Sequence, residues 1–214
     1  MTRAYDIAYL DDAMTSLGAM LDYAVNACGE DLSLFYARFL GSGIANSFSR
    51  ANPKYLAGMS GIELATLVAA RTGEALPEKD ALIDIGSPEY WTGWTLAYLS
   101  WYLNIDFGTM QSRGLTVQSL RERYSVLHEA DLSKAIQFAI KRLGKISGGE
   151  LLKRARKNAM LTQQQLSDIT GIPITVIRSY EQNQRSLKNA EMGNIWNICQ
   201  ALGCRIEEIR TIPT

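Results

Sequence analysis

Residues 161–181 read LTQQQLSDITGIPITVIRSYE, and this stretch decides the fold of the C-terminal third of the chain. Thr162, followed three residues later by Gln165, is a capping-box pattern that starts a helix. Gly171 suits the residue that ends a helix, and Pro173 suits the first turn of the next helix. The stretch therefore predicts two short helices joined by a tight turn.

Apolar residues on both sides of this turn predict a small helical domain. The second helix of the pair should cover about residues 173–182, and a later helix should cover about residues 189–202. We expect these helices to pack through apolar residues spaced three and four apart. The residues expected in the core are Leu151, Leu152, Ala155, Leu166, Ile169, Val176, Ile177, Tyr180, Met192, Ile195, Trp196, Cys199, Leu202, Ile206 and Ile209.

Two helices joined by a glycine-containing turn form the helix-turn-helix arrangement. Five spaced elements occur in order along residues 151–210: Leu152-x-x-x-Arg156, Leu161-Thr162-Gln163-x-x-Leu166, Gly171-Ile172, Ile177-x-x-Tyr180-Glu181 and Ala201-Leu202-Gly203. With these elements the segment resembles the DNA-binding domain of phage Cro and lambda-repressor type regulators, the XRE-like helix-turn-helix family. The resemblance implies a five-helix, lambda-repressor-like domain over residues 150–214.

The resemblance also implies a role for individual side chains on double-stranded DNA. A recognition helix in the major groove would read bases through Ile174, Thr175, Arg178 and Ser179. Contacts to phosphates would come from Gln163, Gln182, Asn183, Gln184 and Arg185. An ion pair between Arg156 and Glu181 would fix the angle between two helices.

The sequence departs from the usual family pattern at three places. Pro173 stands where a serine cap is typical, Ile174 is apolar where polar readers are common, and Gln182-Asn183 replaces the frequent Asn-Gly. These differences leave DNA binding as the expectation but give no operator sequence.

Charge divides the chain at about residue 140, although the net charge is zero. Residues 1–140 carry 10 basic and 16 acidic side chains, a net of −6, and residues 141–214 carry 12 basic and 6 acidic, a net of +6. The basic part suits a polyanion such as DNA. Three glycines and a serine within residues 144–149 predict a flexible linker between two domains, with a helix cap and turn inside one domain as the alternative.

Residues 1–143 are predicted to form an acidic, all-helical domain for dimerisation or partner binding. Apolar residues from Ile7 to Cys28 recur at helical spacing, and Leu132 to Leu143 repeats this pattern. Ser60 with Glu63 forms a capping box, and Ser87 before a proline starts another helix. With no useful alternating run of β-branched residues, the fold class expected for the whole chain is all-α.

One segment of this part is unusually aromatic, since residues 90–102 hold six aromatic side chains. Trp91, Trp94, Tyr98 and Trp101 follow helical spacing and could form a contact surface for a partner. Aromatic residues at this spacing are more often the core of a helical domain, and both interpretations stay open at this stage.

Several classes of function are not indicated. The three cysteines lack a CxxC pair and His128 is the only histidine, so we expect no disulfide framework, no metal site and no other cofactor. The longest uncharged stretch is shorter than a membrane-spanning helix of roughly 20 residues. No nucleophile is placed beside His128, and the acidic N-terminus is unlike a secretion signal, so we expect a cytoplasmic protein that is not an enzyme.

Two functions fit these patterns. The first is a sequence-specific DNA-binding transcriptional regulator, for example a repressor, that acts as a homodimer. The alternative is an antitoxin-like interaction protein, in which the N-terminal domain masks a protein partner and the helix-turn-helix autoregulates the operon. The two hypotheses share the DNA-binding domain and differ in what residues 1–143 hold.

Overall fold

The computed structural model describes residues 3–144 and 146–209, and the described chain divides into two compact units, residues 3–143 and residues 144–209. All regular structure in these ranges is helical, so the all-α prediction is confirmed. The helices of the N-terminal unit are α1 (Leu10–Asp22), α2 (Leu32–Gly41), α3 (Ile44–Ser49), α4 (Pro53–Leu56), α5 (Gly61–Arg71), α6 (Pro88–Leu103), α7 (Phe107–Ser112), α8 (Val117–Arg121), α9 (Tyr124–Leu127) and α10 (Leu132–Leu143). No helix among the described residues is both long enough and apolar enough to span a membrane.

The N-terminal unit is built around α6, which packs along α1. Buried side chains lie on all sides of α6, as expected of a helix in the middle of a domain. A Cβ atom on Gly93 would lie 2.3 Å from the carbonyl oxygen of Leu17, so the two helices meet backbone to backbone. Gly61 brings the start of α5 equally close to Ala19 of α1. These two glycines allow three helices to share one tightly packed core.

The helix starts predicted from capping patterns are present. Ser60 and Glu63 form a reciprocal capping box, and the Ser87 side chain accepts from the Tyr90 backbone N–H at 3.0 Å. The predicted stripe from Ile7 to Cys28 is wrong at its first residue, because Ile7 lies in a 3₁₀ turn ahead of α1 and is 70% exposed. A 3₁₀ turn has three residues per turn, so it moves Ile7 off the buried face that the 3.6-residue period assigned.

The C-terminal unit consists of five α-helices with a 3₁₀ turn, Leu187–Asn189, before the fourth, which confirms the predicted five-helix domain. The helices are α11 (Gly148–Asn158), α12 (Gln163–Thr170), α13 (Ile174–Glu181), α14 (Met192–Leu202) and α15 (Ile206–Ile209). The buried cluster between them contains Leu152, Leu166, Ile172, Ile177, Tyr180, Leu187, Ile195, Ile198, Cys199 and Ile209.

Three apolar residues expected in this core lie on the surface instead. Ile169 is 60% exposed, Met192 is 62% exposed and Trp196 is 57% exposed. Ile198 is fully buried and takes the interior position on α14 that was assigned to Trp196. Four of the five residues from Ile195 to Cys199 are apolar, so the helical period alone did not determine which side of α14 faces inward.

The predicted linker also ends earlier than expected. Gly148 and Gly149 belong to α11, which begins after Ser147 and is capped by its reciprocal bonds with Glu150. Gly149 is buried, and a Cβ atom there would lie 2.2 Å from the carbonyl oxygen of Tyr180. This glycine serves close packing inside the domain, which is why its expected place in a flexible linker was wrong.

Candidate nucleic-acid interface

The turn between α12 and α13 is short and internally bonded. Thr162 and Gln165 form the predicted capping box at the start of α12, and Gly171 ends that helix with a φ of +71°. The Ser167 hydroxyl donates to the carbonyl oxygen of Ile172 at 2.6 Å, and the Ile172 side chain is buried. Pro173 precedes α13 with a φ of −53°, close to the value its ring imposes. The turn therefore holds α12 and α13 in one relative orientation.

The helix α13 presents the four predicted base-reading residues on its outer side. Ile177, Tyr180 and Glu181 are buried on the inner side. On the outer side, Thr175 and Arg178 are exposed, and Ile174 and Ser179 are half-buried. The Ser179 hydroxyl donates to the carbonyl oxygen of Val176 at 2.7 Å, so its oxygen is left to act as an acceptor.

Arg156 of α11 and Glu181 at the end of α13 form a buried ion pair. The Arg156 Nε donates to Glu181 Oε1 at 2.6 Å, and Nη2 donates to Oε2 at 2.9 Å. Only 9% of the Arg156 side chain and 2% of the Glu181 side chain are exposed. The remaining Nη1 donates to the carbonyl oxygen of Leu161 at 2.7 Å, which ties the loop before α12 to the same guanidinium. This one arginine thus joins three parts of the domain.

Gln163, expected to contact a phosphate, is already bonded within the domain. Its Nε2 donates to Glu181 Oε2 at 2.7 Å, and its Oε1 lies 3.4 Å from Nε of Arg178. The side chain is half-buried at the first turn of α12. The structure thus brings Gln163 and Arg178 together, although their predicted roles were separate.

The predicted phosphate-binding loop follows α13, and its members differ in how free they are. Gln182, Asn183, Gln184 and Arg185 are all exposed, but Asn183 also bonds within the domain. Asn183 has a φ of +58°, a left-handed conformation that asparagine tolerates better than most residues and that glycine fills in the usual family pattern. Its Oδ1 accepts from the Gly149 backbone N–H at 3.2 Å. Part of the Asn183 side chain therefore secures the domain instead of facing solvent.

An open groove of about 530 Å³ lies beside the end of α13. Its lining includes Arg185 from the predicted set and Ser186, Asn189 and Asn194, which sequence reasoning did not select. Helix α14 begins at Met192, and its cap residue makes no side-chain hydrogen bond, so backbone N–H groups remain at this helix start. Amide and hydroxyl side chains beside a helix N-terminus suit a phosphate oxygen, whereas the carboxylate of Glu191, the cap residue in the same lining, opposes an anion there. The cluster Ser186 to Asn194 was recognisable only as a polar loop before a helix.

The aromatic segment of the N-terminal unit lies mainly in its core. Trp101 is 6% exposed and its Nε1 donates to the carbonyl oxygen of Tyr5 at 2.8 Å, and Trp91 is 9% exposed and packs against Tyr124. These two indoles therefore do not offer the partner surface considered from the sequence. Trp94 and Tyr98 are half-buried and retain an outward part.

Comparison with protein families identifies the C-terminal unit. Residues 152–209 match the model of the helix-turn-helix family HTH_3, which is the family type that the sequence motifs resemble. The matched range contains α12 to α15 and most of α11. No curated protein and no solved structure matches the chain. The C-terminal unit is therefore a helix-turn-helix domain of the XRE and lambda-repressor type, a fold that supports DNA binding.

Proposed function

We propose that this protein is a sequence-specific transcriptional regulator that inserts α13 into the major groove of double-stranded DNA. The observation that carries the proposal is the outer side of α13, where Thr175 and Arg178 are exposed on a helix fixed by a buried ion pair. An arginine fork can contact guanine through two hydrogen bonds, and a threonine can both donate and accept. A helix held rigidly from behind can present such groups at a defined depth and angle.

In this proposal, side chains around α13 contact the phosphates of the DNA backbone. Gln182, Gln184 and Arg185 are exposed in the loop directly after it, and Arg185 also lines the adjoining groove. Phosphate contacts of this kind position a protein on DNA without reading its sequence. The surplus of six positive charges in residues 141–214 supports the same assignment, because cations that neutralise phosphates release counterions.

The regulator acts as a homodimer in this proposal. One recognition helix reads only a few base pairs, so domains of this type usually bind two half-sites about one helical turn apart. Met192 and Trp196 lie one turn apart on α14 and are both more than half exposed. In a two-fold dimer the same patch occurs on both subunits, which makes an apolar helix face self-complementary. A regulator of this kind works in the compartment that contains the DNA, here the cytoplasm.

A second candidate function is the antitoxin-like protein whose N-terminal unit masks a partner. The observation that favours it is the segment at residues 72–87, where Leu82 is 99% exposed and Ile85 is 75% exposed. This segment is held in place, since buried Asp22 accepts from the Asp84 backbone N–H at 2.9 Å and from the Ser87 hydroxyl at 2.6 Å. Large apolar side chains held outward on a fixed segment suit a protein partner.

Selection from random duplex DNA with the full-length chain tests the first proposal. Enrichment of one two-fold symmetric motif supports a dimeric regulator, whereas recovery of unrelated sequences contradicts sequence-specific recognition. Co-purification of a neighbouring-operon protein, with loss of that interaction in Leu82→Ser, would instead favour the second candidate.

A further inference from the structure

We infer that Gln163 is a positioning residue that orients Arg178 for base reading, an inference that rests on the proposed function. Gln163 opens α12 and Arg178 lies in the middle of α13, so their contact bridges the two helices of the helix-turn-helix. The Arg178 Nε donates to Gln163 Oε1 at 3.4 Å. The contact is made between two helices of the domain itself, and it therefore restricts the Arg178 side chain from within the domain.

The orientation of the Gln163 amide is determined by its second contact. The atom of Gln163 that lies 2.7 Å from Glu181 Oε2 must be the amide nitrogen, because a carboxylate oxygen accepts hydrogen bonds and does not donate them. The amide oxygen therefore points away from Glu181 and towards Arg178. A flipped amide would place two oxygens against each other beside a buried charge, which is unfavourable.

The Glu181 carboxylate is itself fixed in position, because Arg156 donates to both of its oxygens at 2.6 and 2.9 Å. The chain of contacts thus runs from Arg156 through Glu181 and Gln163 to Arg178. Its inner end is a buried ion pair, and its outer end reaches the exposed side of α13. Supporting hydrogen bonds of this kind hold a functional side chain in one geometry, which allows an arginine to discriminate between bases.

The contact also decides which edge of the Arg178 guanidinium remains for DNA. With Nε directed at Gln163, the contact does not use the two terminal nitrogens Nη1 and Nη2. Two N–H groups, one from each of these nitrogens, match the O6 and N7 acceptors of guanine. Without Gln163, the arginine would regain the rotamer freedom of a long exposed side chain.

The resemblance to known regulators gives Gln163 a different role, a phosphate contact, and two substitutions separate the roles. Gln163→Met keeps the length of the side chain and removes both hydrogen bonds. Gln163→Lys keeps a donor towards Glu181 and adds a cation for phosphate, but it cannot accept from Arg178. The matched control is Gln164→Met, because Gln164 lies next in α12, is exposed and bonds only within α12 to Asp168 at 2.8 Å.

The experiment measures the affinity of the full-length chain for its selected duplex and for each single-base variant of that duplex. Arg178→Ala should lower discrimination at one base pair by about 10-fold or more. Gln163→Met and Gln163→Lys should lower discrimination at the same base pair by on the order of tenfold, while Gln164→Met leaves it unchanged. In the Arg178→Ala background, Gln163→Met should change discrimination less than about twofold, because coupled residues are not additive.

Three results would overturn the inference. The first is a Gln163→Met variant that weakens all duplexes by one factor with discrimination intact, as a pure phosphate contact would. The second is a Gln163→Lys variant that keeps full discrimination, and this variant carries the test if Gln163→Met fails to fold. The third is unchanged discrimination in Arg178→Ala. If the wild-type chain selects no motif, the proposed function is itself contradicted, and the inference fails with it. That outcome differs from the other three, in which the wild type selects a motif.

Discussion

Arg156 and Glu181 lie 25 residues apart, yet their side chains meet along two parallel hydrogen bonds in the interior of the C-terminal unit. The guanidinium sits on the first helix of the unit and the carboxylate on the last residue of α13. Since both groups are almost completely removed from water, each depends on the other for compensation of its charge.

Removing either partner of this pair should destabilise the domain strongly. Glu181→Ala leaves the Arg156 guanidinium buried and unpaired, at an expected cost of about 3–5 kcal/mol in the free energy of unfolding. Arg156→Lys should also destabilise, because an ammonium cannot form the two parallel bonds. Urea unfolding followed by far-UV circular dichroism measures the change, with exposed Lys157→Ala on the same helix as the control. A Glu181→Ala variant that unfolds like wild type would rule out the structural role of the pair.

Two glycines of this domain should respond to alanine in opposite directions. Gly149→Ala places a Cβ atom 2.2 Å from the carbonyl oxygen of Tyr180, and we expect a loss of about 1–3 kcal/mol or more from overpacking. Gly193 is the second residue of α14 and has nothing within 4 Å of the added atom, so Gly193→Ala should stabilise by about 0.5 kcal/mol. The shift in melting temperature checks both. Equal shifts for the two variants would contradict the packing role of Gly149.

Substitutions of Arg178 and Arg185 should have different effects, because Arg178 is proposed to read a base and Arg185 to contact the DNA backbone. Arg178→Ala should cost about 1–3 kcal/mol on the preferred duplex and relax the choice at one base pair. Arg185→Ala should weaken binding to all duplexes alike and reduce the slope of log affinity against log salt by about 1. Titrations by fluorescence anisotropy at several salt concentrations distinguish the two. Uniform weakening by both substitutions would assign Arg178 to the phosphates as well.

The exposed apolar face of α14 should be needed for dimer formation. Light scattering at micromolar concentration should give twice the chain mass of 23.7 kDa for the wild type. Trp196→Ser should weaken the dimer by about 2 kcal/mol or more, as expected for a tryptophan at the centre of an interface. Leu82→Ser is the control, because it changes an apolar residue of the other unit that is even more exposed, at 99% against 57% for Trp196. Dissociation by Leu82→Ser alone would move the dimer contact to the N-terminal unit.

Features that depend on near neighbours in the chain were predictable from the sequence. Capping boxes at Ser60 and Thr162 and the glycine end of α12 each involve residues within a few positions, so the local pattern was enough. The family motifs lie in order along one short domain, so they could also be recognised from the sequence alone. This part of the prediction covers the helix type, the turn and the outer side of α13.

Features that depend on distant neighbours were not predictable in the same way. The sequence shows that Gly149 is a glycine, but only the fold places the Tyr180 carbonyl beside it. Trp196 and Ile198 are both apolar members of one helix, and packing against other helices decided which of them is buried. The contact of Gln163 with Arg178 needs the relative orientation of two helices, which no spacing rule supplies.

The hydrogen bond from the Gly149 backbone to Asn183 has a mechanical consequence. It joins positions 34 residues apart, the second residue of α11 and the second residue after α13. A displacement of the start of α11 is therefore transmitted to the loop after α13 by this bond, in parallel with the Arg156–Glu181 pair that joins the same two helices. In the proposed DNA complex, these two links together would hold the trailing end of α13 against α11.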